Sequence, residues 1–306
     1  MIMPHARTTG YSLLFLGLTT LCQAQIRMGL KTDRPKYLPY EPVKVTVLIE
    51  NNSGNTLYFN DRFPGAMIHV ILVSEHGAPV KEFPHVRRAQ GGGPINFARG
   101  LVLPTGGRKQ LTFTVNRYFD MAQEGIYTLQ VELIHPRLPS AYRSRELDIQ
   151  VIRGIPVLKR DIGVHTPGNQ EIQTRTVTLL KFYEGHFAEY ALRIEDKKMV
   201  YNIIRLGRCS QSDEPQMEVD ARAHIHLLIQ QEAKSFSYVI VKPDGQIQQT
   251  AIYRVREKDE IPSLIRDPEI GRVMVRGGRL ELPGEETQEE LPEYTGAPIP
   301  ESNPKN

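Results

Sequence analysis

His224-Ile225-His226 sets two imidazoles two residues apart. On an extended strand residues i and i+2 share a face, so both rings could approach one divalent ion. A catalytic zinc needs three protein ligands and an open position. No third histidine or carboxylate at a supporting spacing stands beside this pair. His224 and His226 are therefore weak metal candidates, read as neutral histidines on the half-exposed face of a sheet strand. Neither a metal nor a cofactor is expected.

A second constellation is Gly91-Gly92-Gly93-Pro94, preceded by Arg87 and Arg88, in a stretch read as one long loop from Pro84 to Asn96. A phosphate cradle needs glycines that lead straight into a helix N-terminus. Here Pro94 and a strand-like segment follow, so a flexible loop is expected. Long loops on rigid β scaffolds are where recognition concentrates, which makes Arg87, Arg88, Gly91, Gly92 and Gly93 the candidate recognition element. No Gly-x-Ser-x-Gly elbow occurs. Nothing singles out a carboxylate pair for glycoside hydrolysis, and the chain has no Trp to stack on a sugar ring. Asn51-Asn52-Ser53 matches the glycosylation sequon but lies in a turn cluster whose composition has conformational reasons.

The elements that would position these residues begin behind a leader. Arg7 precedes an apolar run, Tyr11 to Leu21, and Cys22-Gln23-Ala24 offers small residues where a signal peptidase reads. The run is too short to span a bilayer, which takes about 20 residues. Leu21 is not the small residue that a lipid anchor on Cys22 wants, so cleavage after Ala24 is expected. Cys209 then remains as the lone thiol, read as a small buried hydrophobe, and an intrachain disulfide is impossible. The formal net charge of +3 hides an asymmetry: from Glu281 onward seven glutamates stand against Lys305 alone. That leaves a mildly basic body and an acidic, proline-rich tail, 283–306, with too little apolar content to fold. Lys and Arg are scattered without interleaved aromatics, which argues against a nucleic-acid groove.

Strand signals recur at short intervals without a helical period. Val43, Val45, Val47 and Ile49 alternate with Lys44, Thr46, Leu48 and Glu50, the pattern of a strand with one buried face. Further strands are expected at 56–59, 68–74, 80–83, 100–103, 109–115, 125–134 and 142–152. In Glu124-Gly125-Ile126-Tyr127 a tyrosine two residues past a glycine opens a late strand. Gly125 and Tyr127 are therefore structural candidates for a tyrosine corner. Gly154-Ile155-Pro156 and His165-Thr166-Pro167-Gly168-Asn169 punctuate the chain, and a domain boundary is expected there. A second β pattern follows at 175–183, 189–196, 199–206, 224–231, 236–242, 246–255, 264–267 and 272–275, with Lys242-Pro243-Asp244-Gly245 as a hairpin turn. The expected organisation is a signal peptide at 1–24, a sandwich at 25–153, a second β domain at 154–282 and the tail.

Tyr37-x-x-Tyr40-Glu41-Pro42-Val43, the strand ending in Glu50-Asn51-Asn52-Ser53-Gly54, and the late Gly125-x-Tyr127 strand together resemble bacterial immunoglobulin-like or macroglobulin-type modules. The same order resembles the intracellular proteinase inhibitor family typified by a Bacillus protein. The second half resembles propeller-blade-like β repeats, although about 120 residues cannot close a propeller of four blades. These resemblances imply an all-β chain, with an N-terminal immunoglobulin-like antiparallel sandwich followed by a blade-like antiparallel β-meander. The function expected is that of an exported, non-enzymatic binding or structural module, periplasmic or extracellular. Its partner would be a protein or polysaccharide of the envelope, with no nucleic acid and no membrane span. The alternatives are a hydrolase with a cryptic site in the second domain and an extracellular protease inhibitor using a sandwich loop. Intact-mass measurement of the exported protein should place the mature N-terminus at Gln25. A mass that retains residues 1–24, or a lipidated Cys22, is the contrary result.

Overall fold

The computed structural model describes residues 25–89, 92–165, 171–210 and 214–281. The leader, Gly91 and the acidic tail lie outside them. The chain is all-β and divides into two compact units, one up to Val151 and one from Ile152.

The strands of the first unit are β1 (Ile26–Thr32), β2 (Lys36–Tyr37), β3 (Lys44–Asn51), β4 (Leu57–Tyr58), β5 (Met67–Ser74), β6 (Val102–Leu103), β7 (Arg108–Thr114), β8 (Gly125–Ile134), β9 (Tyr142–Arg143) and β10 (Leu147–Val151). They form a sheet of order β1-β3-β7 and a second of order β2-β10-β8-β5, with β9 beside β8 and a small β4-β6 ribbon. All pairs are antiparallel except β2 with β10. Alternation sends Val45, Val47 and Ile49 of β3 inward to meet Ile68 and Leu72 of β5 and Leu129, Val131 and Leu133 of β8 in one core. Burying each such side chain contributes about 1.5–3 kcal/mol.

The Tyr-x-x-Tyr-Glu-Pro segment carries the chain from one sheet to the other and locks itself. Tyr37 is fully buried and donates its hydroxyl to Asp33. Burial first, then the Asp33 carboxylate, pushes the phenol far above its ordinary range. Glu41 accepts from the Leu38 N–H and from Arg34, 2.9 Å each. Asn51 closes the far end of β3. Its side chain is fully buried, its Nδ2 donates to the carbonyls of Asn55, Leu103 and Pro104, and its Oδ1 accepts from Ser53. The sequon asparagine is thus a structural tie between two loops. Tyr127, opening β8, donates its hydroxyl to Gln123 O at 2.9 Å, and Gly125 beside it has φ +146°, open only to glycine without strain.

Two sequence expectations are corrected in this stretch. Residues 80–83 are not a strand: only Glu82 makes an isolated bridge, with Phe119, and Pro79 just before them makes another, with Val73. The stretch from Pro84 is not all loop, since α1 (Pro84–Ala89) is one short helix. Gly154 lies in the short break between β10 and the next strand, and Ile155-Pro156 open that strand. Pro156 sits in an edge strand, where its missing N–H is tolerated, and a register shift between Pro156 and Leu158 absorbs it.

The second unit comprises β11 (Ile155–His165), β12 (Ile172–Glu184), β13 (Phe187–Glu195), β14 (Val200–Arg208), β15 (Gln216–Val219), β16 (Ile225–Glu232), β17 (Ser235–Val241), β18 (Ile247–Arg254), β19 (Ser263–Arg266), β20 (Val273–Arg276) and β21 (Arg279–Leu280). β11 to β14 form an up-and-down meander, and β15-β16-β17-β18-β21 form a second antiparallel sheet. One face of the second sheet places Ile225, Leu227, Ile229, Val239 and Val241 against Val177, Leu179, Leu192 and Ile194 of the meander. Its other face gathers Leu228, Phe236 and Tyr238 under Leu264 and Val275 of the β19–β20 hairpin. Strands buried on both faces read as continuous apolar runs, which is why β16 and β17 lack alternation.

Tyr127→Phe leaves the Gln123 carbonyl without its buried donor, and a hydrogen bond of this kind is worth about 1 kcal/mol. In urea unfolding of the mature chain the transition of the first unit should shift to a lower midpoint with an unchanged slope. An unshifted midpoint would make Tyr127 an ordinary strand residue.

Candidate functional site

Two places bring chemistry-bearing residues together. The first sits in the turn between β15 and β16. Asp220 accepts the N–H groups of Arg222 and His224 on Oδ1, 2.8 Å each, which folds the turn around its carboxylate. Ala223 takes φ +62° to close it. The other carboxylate oxygen then lies 3.2 Å from His224 Nδ1 and 3.4 Å from His226 Nε2. On the far side of the His226 ring, Nδ1 is 2.6 Å from the Tyr238 hydroxyl, one strand over on β17.

Electrostatics fix the protons in this line. Burial pushes the Tyr238 phenol up to about 12, with Tyr253 and Asp220 adding to it, so the hydroxyl donates and His226 Nδ1 accepts. The imidazole proton then sits on Nε2, facing Asp220. That contact is misaligned for a hydrogen bond, and Nε2 is buried without a hydrogen-bond partner. Burial lowers the His226 pKa, and Asp220 only partly offsets it. Burial opposes ionisation of Asp220 too, but the His224 and Arg222 N–H groups and both imidazoles hold its carboxyl below the ordinary range. A tyrosine–histidine–aspartate line can relay a proton. Here, however, both Tyr238 and His226 are buried, and a phenol with a raised pKa is the reverse of an activated nucleophile.

His224 stands in the turn just ahead of β16 and His226 in the strand, and the two imidazoles converge on one oxygen of Asp220. The expected half-exposed face is corrected, because His226 is only 4 % exposed. Asp220, four and six residues upstream of the two histidines, is the carboxylate that the sequence pattern did not single out. Among the described residues no group of three or more His, Cys, Asp or Glu is arranged to hold a metal ion. Cys209 packs at the edge of the core of the second unit, and burial pushes its thiol up, away from reactivity.

The second place is the α1 segment. Arg87 and Arg88 occupy the last helical turn, and Gly92, at φ +87°, donates to Arg87 O at 3.0 Å, so this glycine ends a helix rather than opening one. An open groove of about 720 Å3 separates this segment from β5 and is lined by Val70, Leu72, Lys81, Arg87, Gly93 and Phe119, among others. β5 is an edge strand. Its outer edge is capped at Leu72, which accepts the Val80 N–H, and at Ile68, which accepts the Phe97 N–H. Val70 lies midway between them, and alternation turns its N–H and C=O the same way, toward the groove. On the sheet face beside it, buried Glu132 of β8 takes Arg143 at 2.7 Å and His69 at 3.2 Å.

No protein-family model matches the chain, and no curated protein sequence matches it. Among solved structures, the sporulation control protein Spo0M from Bacillus subtilis is similar over 62 % of this chain and 91 % of its own, at 12 % identity and a TM-score of 0.28.

A histidine whose pKa is lower folded than unfolded takes up its proton more readily on unfolding. Its stabilisation is present above the unfolded value of about 6.5 and is lost as pH falls through the folded one. His135 in the first unit has the same sign, lowered chiefly by burial. The melting temperature should therefore be flat from pH 8 to 7 and fall below about pH 6.5. His226→Gln should flatten the fall of the second unit. An equal pH slope in that variant would contradict a buried neutral His226.

Proposed function

We propose that the chain is an exported, non-enzymatic β protein of the cell envelope or extracellular space, acting as a binding module. The observation that carries this reading is the groove between β5 and the α1 segment. Between the capped positions Ile68 and Leu72 the backbone donor and acceptor of Val70 face this groove, which Lys81 and Arg87 also line, so a partner loop seated there finds one main-chain pair and two cations. The short apolar leader with Cys22-Gln23-Ala24 supports export.

An immunoglobulin-like character of the first unit fits the same reading. It is supported by the two sheet orders, the parallel β2–β10 pair and the Tyr127-to-Gln123 bond at the start of β8. Sandwiches of this kind carry recognition on the loops that join their strands, as the α1 segment does here. The four-stranded β11–β14 meander has the strand number of a propeller blade, which supports the blade-like reading of the second unit.

The test is a photo-crosslinking residue in place of Arg87 in the exported chain, illuminated in intact cells, with the same replacement at exposed Asp244 as a control. A discrete adduct from position 87, lost on adding Lys81→Glu and Arg88→Glu, is the expected result. No adduct, or the same adducts from both positions, would remove the groove as a binding site.

A further inference from the structure

β19 and β20 pair so that Leu264 stands opposite Val275 and Ile265 opposite Met274. The first pair faces the sheet and packs on the cluster containing Tyr238. Alternation turns the second pair outward, where Ile265 and Met274 are 36 % and 40 % exposed. Exposed Ile261 precedes β19, and exposed Leu280 closes β21. Contiguous apolar side chains on an outer face mark an interaction surface more than scattered single residues do.

Two arginines stand on this face itself. Arg272 and Arg276, two residues to either side of Met274, share its face and are exposed. Arg276 lies 3.4 Å from Glu260, with both side chains about two-thirds exposed or more, a pair that water screens and that exchanges readily.

We propose that residues 282–306 of this chain dock on that face, with Leu291 and Tyr294 over Ile265 and Met274 and their glutamates toward Arg272 and Arg276. Three observations select this occupant. The segment carries six glutamates against one lysine, opposite in sign to the arginines. Its apolar residues Leu291 and Tyr294 lie within the glutamate run, in Glu290-Leu291-Pro292-Glu293-Tyr294. The segment also starts in the same unit, because Gly278 N–H bonds to Glu260 O at 2.8 Å ahead of β19, and β21 then delivers Glu281 to the edge of β18. Ten residues from Glu281 to Leu291 can span about 33 Å, more than enough reach. Tethering supplies an effective concentration in the millimolar range, so individually weak contacts suffice where a separate partner would need many more.

The test measures oxidation of Met274 by dilute peroxide in the full mature chain, read by peptide mass spectrometry. Met199, 55 % exposed in the same unit, serves as the internal standard. The comparison chain carries Leu291→Asp and Tyr294→Asp. Met274 should oxidise about threefold or more slowly in the unaltered chain, with the Met199 rate equal in both, and 1 M salt should narrow the difference. Equal Met274 rates in the two chains would overturn the proposal. So would protection that persists in the altered chain and rises with protein concentration, which would assign the face to a second copy.

Discussion

The burial of apolar strand faces is the interaction on which everything else in this molecule depends. Hydrophobic transfer is non-directional and scales with area, so it sets which faces meet but not how finely they are aligned. In the first unit one face each of β3, β5 and β8 closes a single core, and their opposite faces are left polar or half-exposed. In the second unit β16 and β17 bury both faces, between the β12–β14 meander and the β19–β20 hairpin. Both units reach stability with little helix, and the Cys209 thiol stands free.

Direction comes from a small set of buried polar groups, each of which fastens a place where the chain changes sheet or reverses. Glu41 and Tyr37 hold the crossing into β3, Asn51 holds its exit, and Tyr127 holds the entry into β8. Asp220 does the same for the turn into β16 and draws both histidines to itself. Leaving such a group unpaired would cost more than the bond contributes, so these ties act mainly by making alternative crossings expensive. The same logic explains why strongly perturbed titratable groups, Tyr37, Tyr238 and His226 among them, belong to packing. Binding is left to an edge and its neighbouring loop, where the backbone at Val70 faces open space.

How much of this was legible in the sequence follows from burial. β3 and β8 could be read residue by residue because alternation is visible wherever one face is wet. β11 was hidden because an exposed edge strand needs no apolar stripe, and Pro156 with Lys159-Arg160-Asp161 looks like a linker. β1 does alternate, through Ile26, Met28 and Leu30, and was passed over because it follows directly on the leader. α1 is too short to show a period. The Asp220 cluster had a readable signal in Asp-Ala-Arg-Ala-His-Ile-His, an aspartate placed to accept the next N–H groups, but the Tyr238 partner arrives from another strand and has no local signature.

The central claim is that the stability of the fold resides in the inward-facing strands and that β5 is a looser, binding-competent edge. Native-state hydrogen exchange of the mature chain, read by peptide, tests it most directly. The account predicts the slowest exchange in β3, β8, β16 and β17, with faster exchange at Val70 and through α1. Slowest exchange in β11 or across the α1 segment, or uniform protection along β5, would contradict it.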